Sequence, residues 1–168
     1  MSSQLIKGKN IDVSNVSVSQ PRVLDNGAKL VYVNYNSGRF NIQTPWMELA
    51  WDMSCYTEGP YPKYSMELSF KGADEDEDTR EFLEKFNEFD QKMIDVGLQE
   101  SVQFFKKKTT SREVVEGFYN PVVKVSRDKE TGEADGKWPS TFRVKIPFRD
   151  GKFTPKFYSQ KKWPNGHL

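Results

Sequence analysis

Apolar and polar residues alternate over residues 28–35, with Val31, Val33 and Tyr35 on one side and Leu30, Tyr32 and Asn34 on the other. That period of two predicts a strand. Asn36-Ser37-Gly38 supplies a turn. A second strand over 39–44 sets Phe40 and Ile42 on one face and Arg39, Asn41 and Gln43 on the other. Paired as a hairpin, the two strands would gather Tyr32, Asn34, Arg39, Asn41 and Gln43 on one sheet surface. A ring, a cation and several amides together suit a ligand better than a core. Pro45 interrupts the pattern, residues 46–53 continue extended, and Gly59, Pro60 and Pro62 mark a loop. Over 63–70, Tyr64, Met66, Leu68 and Phe70 alternate with Lys63, Ser65, Glu67 and Ser69, as in a half-buried strand. The polar, Ser- and Asn-rich residues 1–21 predict a flexible segment or at most an edge strand, through Ile11, Val13, Val16 and Val18.

The period then changes. Asp-Glu-Asp-Glu-Asp at 74–78 leads into a long helix, with Asp78 and Glu81 spaced as a capping box and negative charge suited to a helix N-terminus. Phe82, Phe86, Phe89 and Met93 fall on one apolar stripe, which reads as core. Gly97 is expected to end the helix. A shorter helix runs through Phe105 to Lys106-Lys107-Lys108, and Thr110 and Glu113 open a third before Pro121. Strands resume at 122–126, then a hairpin loop at 131–136 and a strand at 141–148. In that strand Phe142, Val144, Ile146 and Phe148 alternate with Arg143, Lys145 and Pro147. Asp150-Gly151 turns the chain into residues 152–158. This order predicts an α+β fold, mainly β: a small antiparallel OB-like barrel over 22–158, with a helical insertion at about 77–118. Residues 159–168 follow as a basic tail.

Charge changes this picture more than composition does. The net charge of +1 combines −8 over residues 74–100 with +7 over 136–168. A basic segment over 136–168 draws anions whatever the total. Aromatics make up 14% of the chain, enough to strengthen a core otherwise poor in aliphatic residues. Apolar runs are too short for a membrane helix of ~20 residues. The N-terminus lacks a secretory pattern, and the single Cys55 fits a reducing compartment, so a soluble intracellular domain is expected.

Familiar catalytic and cofactor motifs are missing. The chain has no GxxxxGK[ST], GxGxxG or HExxH, and its one histidine, His167, stands next to the last residue. No metal, cofactor or catalytic residue is assigned. Cys55 reads as a buried small apolar residue, and the acidic run 74–78 matches no calcium loop. That run would serve electrostatics, competing with nucleic acid for a basic groove or docking a partner. What remains is an aromatic and basic constellation: Tyr32, Asn34, Arg39, Asn41 and Gln43 on the hairpin, with Trp46 and Trp51 beside it. Lys124, Arg143 and Lys145 lie on later strands, and Lys156, Lys161, Lys162 and Trp163 lead into the tail. Single-stranded nucleic acid needs this mixture, because cations neutralise phosphates and rings stack on unpaired bases. The alternative is a virion or scaffold module that docks proteins on the same aromatic surface; a carboxylate-based hydrolase is a distant third.

Three segments carry a resemblance. They are Phe40-Asn41-Ile42-Gln43-Thr44-Pro45-Trp46-Met47, the strand from Tyr64 to Phe70 with the acidic helix after it, and the closing stretch from Trp138 to Pro147. Over roughly residues 22–158 the chain resembles the single-stranded DNA-binding proteins of nucleocytoplasmic large DNA viruses. The resemblance implies an OB-fold that coats single-stranded DNA, or RNA, during viral replication, recombination or repair. It implies replication proteins as partners through segment 74–78, and a location in the host cytoplasm, nucleus or virion. A homodimer is compatible with it. Some proteins of this type end in an acidic tail, whereas this chain ends basic and keeps its acidic block inside.

Overall fold

The structure is a computed structural model that describes residues 5–108 and 111–158. In chain order the strands are β1 (Leu5–Lys7), β2 (Val16–Val18), β3 (Arg22–Val23), β4 (Lys29–Leu30), β5 (Val33–Tyr35), β6 (Gly38–Arg39) and β7 (Asn41–Gln43). They continue with β8 (Glu48–Leu49), β9 (Ser54–Tyr56) and β10 (Lys63–Ser69). After the helices α1 (Glu77–Gln99), α2 (Ser101–Phe105) and α3 (Arg112–Phe118) come β11 (Val123–Lys124), β12 (Thr141–Ile146), β13 (Phe148–Arg149) and β14 (Lys152–Phe153). The fold is α+β with mostly antiparallel pairing. Its largest sheet runs β11-β12-β10-β8, with β9 sharing the β8 edge of β10. The other strands form small separate sheets, and no closed barrel forms among the described residues.

Alternation along β10 and β12 settles how this sheet packs. Tyr64, Met66 and Leu68 lie opposite Ile146, Val144 and Phe142, which puts the apolar residues of both strands on one face. α1 covers the Leu68–Phe142 end of that face, while Tyr64 at the other end packs on Phe148 and Phe153. Phe82 and Phe86 meet Phe70 and Phe142, with ring centroids 4.3 Å apart for Phe82–Phe86 and 5.1 Å for Phe86–Phe142. Each such aromatic pair adds roughly 0.5–1.5 kcal/mol to simple area burial.

The N-terminal segment completes the core. β1 pairs in parallel with β7, and Ile6 and Ile11 are buried against the Phe cluster. A short 3₁₀ turn at Gly8–Asn10 lies on α1, so close that a Cβ on Gly8 would stand 2.2 Å from the Phe82 ring. Strand β1 is peripheral in hydrogen bonding yet central in packing. Short alternation in a polar stretch underrates it, because a few well-spaced isoleucines suffice to close a core edge.

α1 departs from expectation at both ends. Its N-cap is Asp76, whose carboxylate accepts from the Thr79 amide at 2.7 Å and the Thr79 hydroxyl at 2.5 Å. Those bonds hold the Asp76 carboxyl below its usual range. Asp78, expected at the cap, pairs with Lys9 at 2.5 Å. Gly97 lies inside the helix and is buried, where a Cβ would meet the Val115 side chain at 2.9 Å. Glycine here admits α3 rather than ending α1. Phe89 and Met93 are half-buried, and the buried line continues instead through Asp90, Ile94 and Gly97.

The turn after β5 forms where the sequence places it. Asn36 and Ser37 both have positive φ, 48° and 60°, as a two-residue hairpin turn of the primed type requires. A serine there is strained relative to glycine. Ser37→Gly is expected to stabilise the protein by roughly 0.5 kcal/mol, the relief exceeding glycine's extra freedom when unfolded. The urea midpoint should rise with an unchanged denaturant slope.

Candidate nucleic-acid interface

If α1 takes the apolar face of the large sheet, the opposite face is left to solvent. The same register places Ser65 opposite Lys145, Glu67 opposite Arg143 and Ser69 opposite Thr141, and Arg143 and Lys145 are exposed. Lys124 lies beside Thr141 on β11, and Glu48 beside Ser69 on β8. Lys63 continues the row, its ammonium 5.9 Å from the Tyr56 ring centroid. Cations thus outnumber carboxylates on this face, and β-sheet parity puts them there.

One end of the face is hollowed into an open groove of about 410 Å³. Trp51 and Trp138 line it, 61% and 60% exposed, so both rings are available to a ligand. Glu48, Glu67, Ser69 and Thr141 contribute carboxylates and hydroxyls, and Lys71 and Lys124 contribute ammonium groups. Lys71 pairs with Glu48 at 3.1 Å, and Lys124 donates to the Asn120 side chain. Arg143 donates from Nε at 2.9 Å and from Nη2 at 2.5 Å, both to Oε1 of Glu67. The Lys71–Glu48 pair, exposed on both sides, contributes about 0–1 kcal/mol and exchanges readily for another anion. Lys145 makes no ion pair among the described residues.

The expected constellation is therefore split. Trp51, Lys124, Arg143 and Lys145 share the open face of the large sheet. The hairpin group does not form one surface. Asn34 faces Arg39 across β5 and β6, with Tyr32 exposed just before β5, but Asn41 and Gln43 lie on β7, which pairs with β1 in another sheet. The cause is Phe40. Its ring stacks on Tyr35 at 5.2 Å and packs into the core, drawing the chain out of the hairpin after Arg39. Trp46 is 77% exposed but does not line the groove, and Lys156 is exposed beyond β14. Lys161, Lys162, Trp163 and His167 lie outside the described residues.

Trp138 and Lys71 went unassigned in the sequence. Trp138 sits in a Gly- and Pro-flanked loop with no periodicity, although the stretch before β12 was its signal. Cys55 is exposed on β9, not buried, opposite Tyr64, and its hydrogen bond pushes the Tyr64 hydroxyl up. Segment 74–78 is exposed at the start of α1, and among the described residues no three His, Cys, Asp or Glu side chains converge as a metal site. No described helix is long and apolar enough to cross a membrane. No protein-family model matches this chain, nor does any curated protein or solved structure.

Proposed function

We propose that this protein is a non-enzymatic, largely sequence-independent binder of single-stranded DNA, acting in viral DNA replication, recombination or repair. One observation carries the reading: Trp51 and Trp138 flank a groove on the same open sheet face that holds Lys71, Lys124, Arg143 and Lys145. Unpaired bases stack on the rings, and phosphates take the cations. In this reading the sheet serves as an OB-like wall, with α1 backing it and the polynucleotide crossing its free side. In segment 74–78 Asp76 caps α1 and Asp78 pairs with Lys9, so the exposed Asp74, Glu75 and Glu77 are the carboxylates offered to replication proteins.

Tryptophan fluorescence should fall when a mixed-sequence oligonucleotide is added. Trp51→Ala and Trp138→Ala should each weaken binding by roughly five-fold or more, from the loss of about 1–3 kcal/mol of stacking per base. Trp46→Ala should change it less. Lys145→Ala should weaken binding and flatten the salt dependence, since each phosphate contact contributes a slope of about −0.7 for single strands. Duplex of equal length should bind more weakly. An absence of binding at low salt ends the proposal.

A second reading, a protein-interaction module without nucleic acid, draws on another surface. Val102, Phe105, Val114 and Phe118 leave apolar area exposed on α2 and α3, and the Phe105 and Phe118 rings lie 6.2 Å apart. Substituting Phe118, 77% exposed, by Ser would then abolish partner capture while Trp138→Ala would not.

A further inference from the structure

The groove's polar groups are unevenly matched to the bases. Glu48 and Glu67 both line it, and an ionised carboxylate only accepts hydrogen bonds. Glu67 is held firmly: its side chain is 19% exposed, and Oε1 takes both bonds from Arg143. Oε2 receives only a long 3.4 Å contact from the Thr141 hydroxyl, so most of its accepting capacity is unused. Glu48 is looser, its side chain 66% exposed, with Oε2 taking the Lys71 ammonium. A ligand lying between Trp51 and Trp138 therefore meets strong acceptors.

Resting on the single-strand reading above, we propose that the groove prefers bases with an exocyclic amine, with Glu67 accepting from that amine while the tryptophans stack on the ring. Cytosine presents an amine, whereas uracil and thymine present a carbonyl at the same position. That carbonyl oxygen would face the Glu67 carboxylate, two acceptors with no proton between them. A matched contact of an acidic side chain with the cytosine amine belongs to the pairings that separate one base from another. Arg143 strengthens the effect by fixing the carboxylate's position while leaving Oε2 free. The cations on the rest of the face act on the backbone and are indifferent to the base.

The test compares oligo-dC with oligo-dU of equal length at neutral pH, a pair that removes the thymine methyl from the comparison. Oligo-dC is expected to bind roughly five-fold more tightly, the low end of what one good side-chain contact to a base supplies. Glu67→Gln, whose amide can donate as well as accept, should raise oligo-dU affinity towards that of oligo-dC. Glu67→Ala, which removes the carboxylate altogether, provides the same comparison if the first variant misfolds by circular dichroism. Equal binding of the two oligomers by the unaltered protein overturns this inference and leaves single-strand binding standing. A preference that survives in Glu67→Gln overturns the role of Glu67. Failure of both oligomers to bind at low salt removes the single-strand reading itself, and the preference with it.

Discussion

Asp90→Ala is expected to cost about 3–5 kcal/mol of folding stability, a large share of what a domain of this size possesses. Asp90 is 5% exposed, in the buried line of α1. Its carboxylate accepts from the Tyr119 hydroxyl at 2.6 Å, the Val122 amide at 2.8 Å and the Val123 amide at 3.1 Å. It thereby fixes the chain between α3 and β11, and hence the strand that carries Lys124. Burial, then the hydrogen bond from its own hydroxyl to Asp90, pushes the Tyr119 hydroxyl up. Alanine would strand the buried Val123 amide together with the part-buried Val122 amide and Tyr119 hydroxyl, groups that cost about 1–3 kcal/mol each when buried and unpaired. Asn keeps one accepting oxygen and should lie between wild type and Ala. Tyr119→Phe removes a single donor and should cost about 1–2 kcal/mol. Urea unfolding of the three variants checks the order; a loss below 1 kcal/mol for Asp90→Ala would show that the carboxylate does not hold this junction.

Gly8→Ala should cost about 3 kcal/mol, at the upper end for overpacking. The added methyl would sit 2.2 Å and 2.5 Å from two carbons of the Phe82 ring. That ring is fully buried and hemmed in by Phe70, Phe86 and Phe142, so it has little room to retreat. Either the ring leaves its position or residues 5–11 lift off the core, exposing Ile6 and Ile11. Phe82→Leu is costly alone but relieves the clash, so the double variant should lose clearly less than the two single losses combined. Strict additivity in a thermal or urea series would separate Gly8 from the Phe82 ring.

These two positions also mark what the sequence makes legible. Patterns with a period of two gave β10 and β12 and the correct inner and outer faces, because alternation is a local property. Phe82 and Phe86 stood out as core for the same reason. Asp90 did not, because a carboxylate in an apolar stripe reads as an interruption until its donors arrive from 29–33 residues away. Gly8 falls in a stretch expected to be flexible or an edge strand, and Gly97 was expected to end α1, whereas both are sites of close approach, set by partners distant in the chain. The hairpin failed at Phe40, where core packing overrode continued pairing. Of the candidate interface, the β-strand cations were readable from parity. The groove was not, since Trp138 reaches it from an aperiodic loop.

The pairing of β10 with β12 joins residues 76 positions apart at Glu67 and Arg143. A ribosome making this chain therefore releases everything from β10 through β12 before the central ladder can close, and loop closure over that span must precede the reward of pairing. Refolding should accordingly be slower than for a helical bundle of the same length. Until residues 141–146 emerge, the long edge of β10 stays open to strands of other nascent chains, so crowding during synthesis, rather than instability of the finished fold, sets the main hazard for its production.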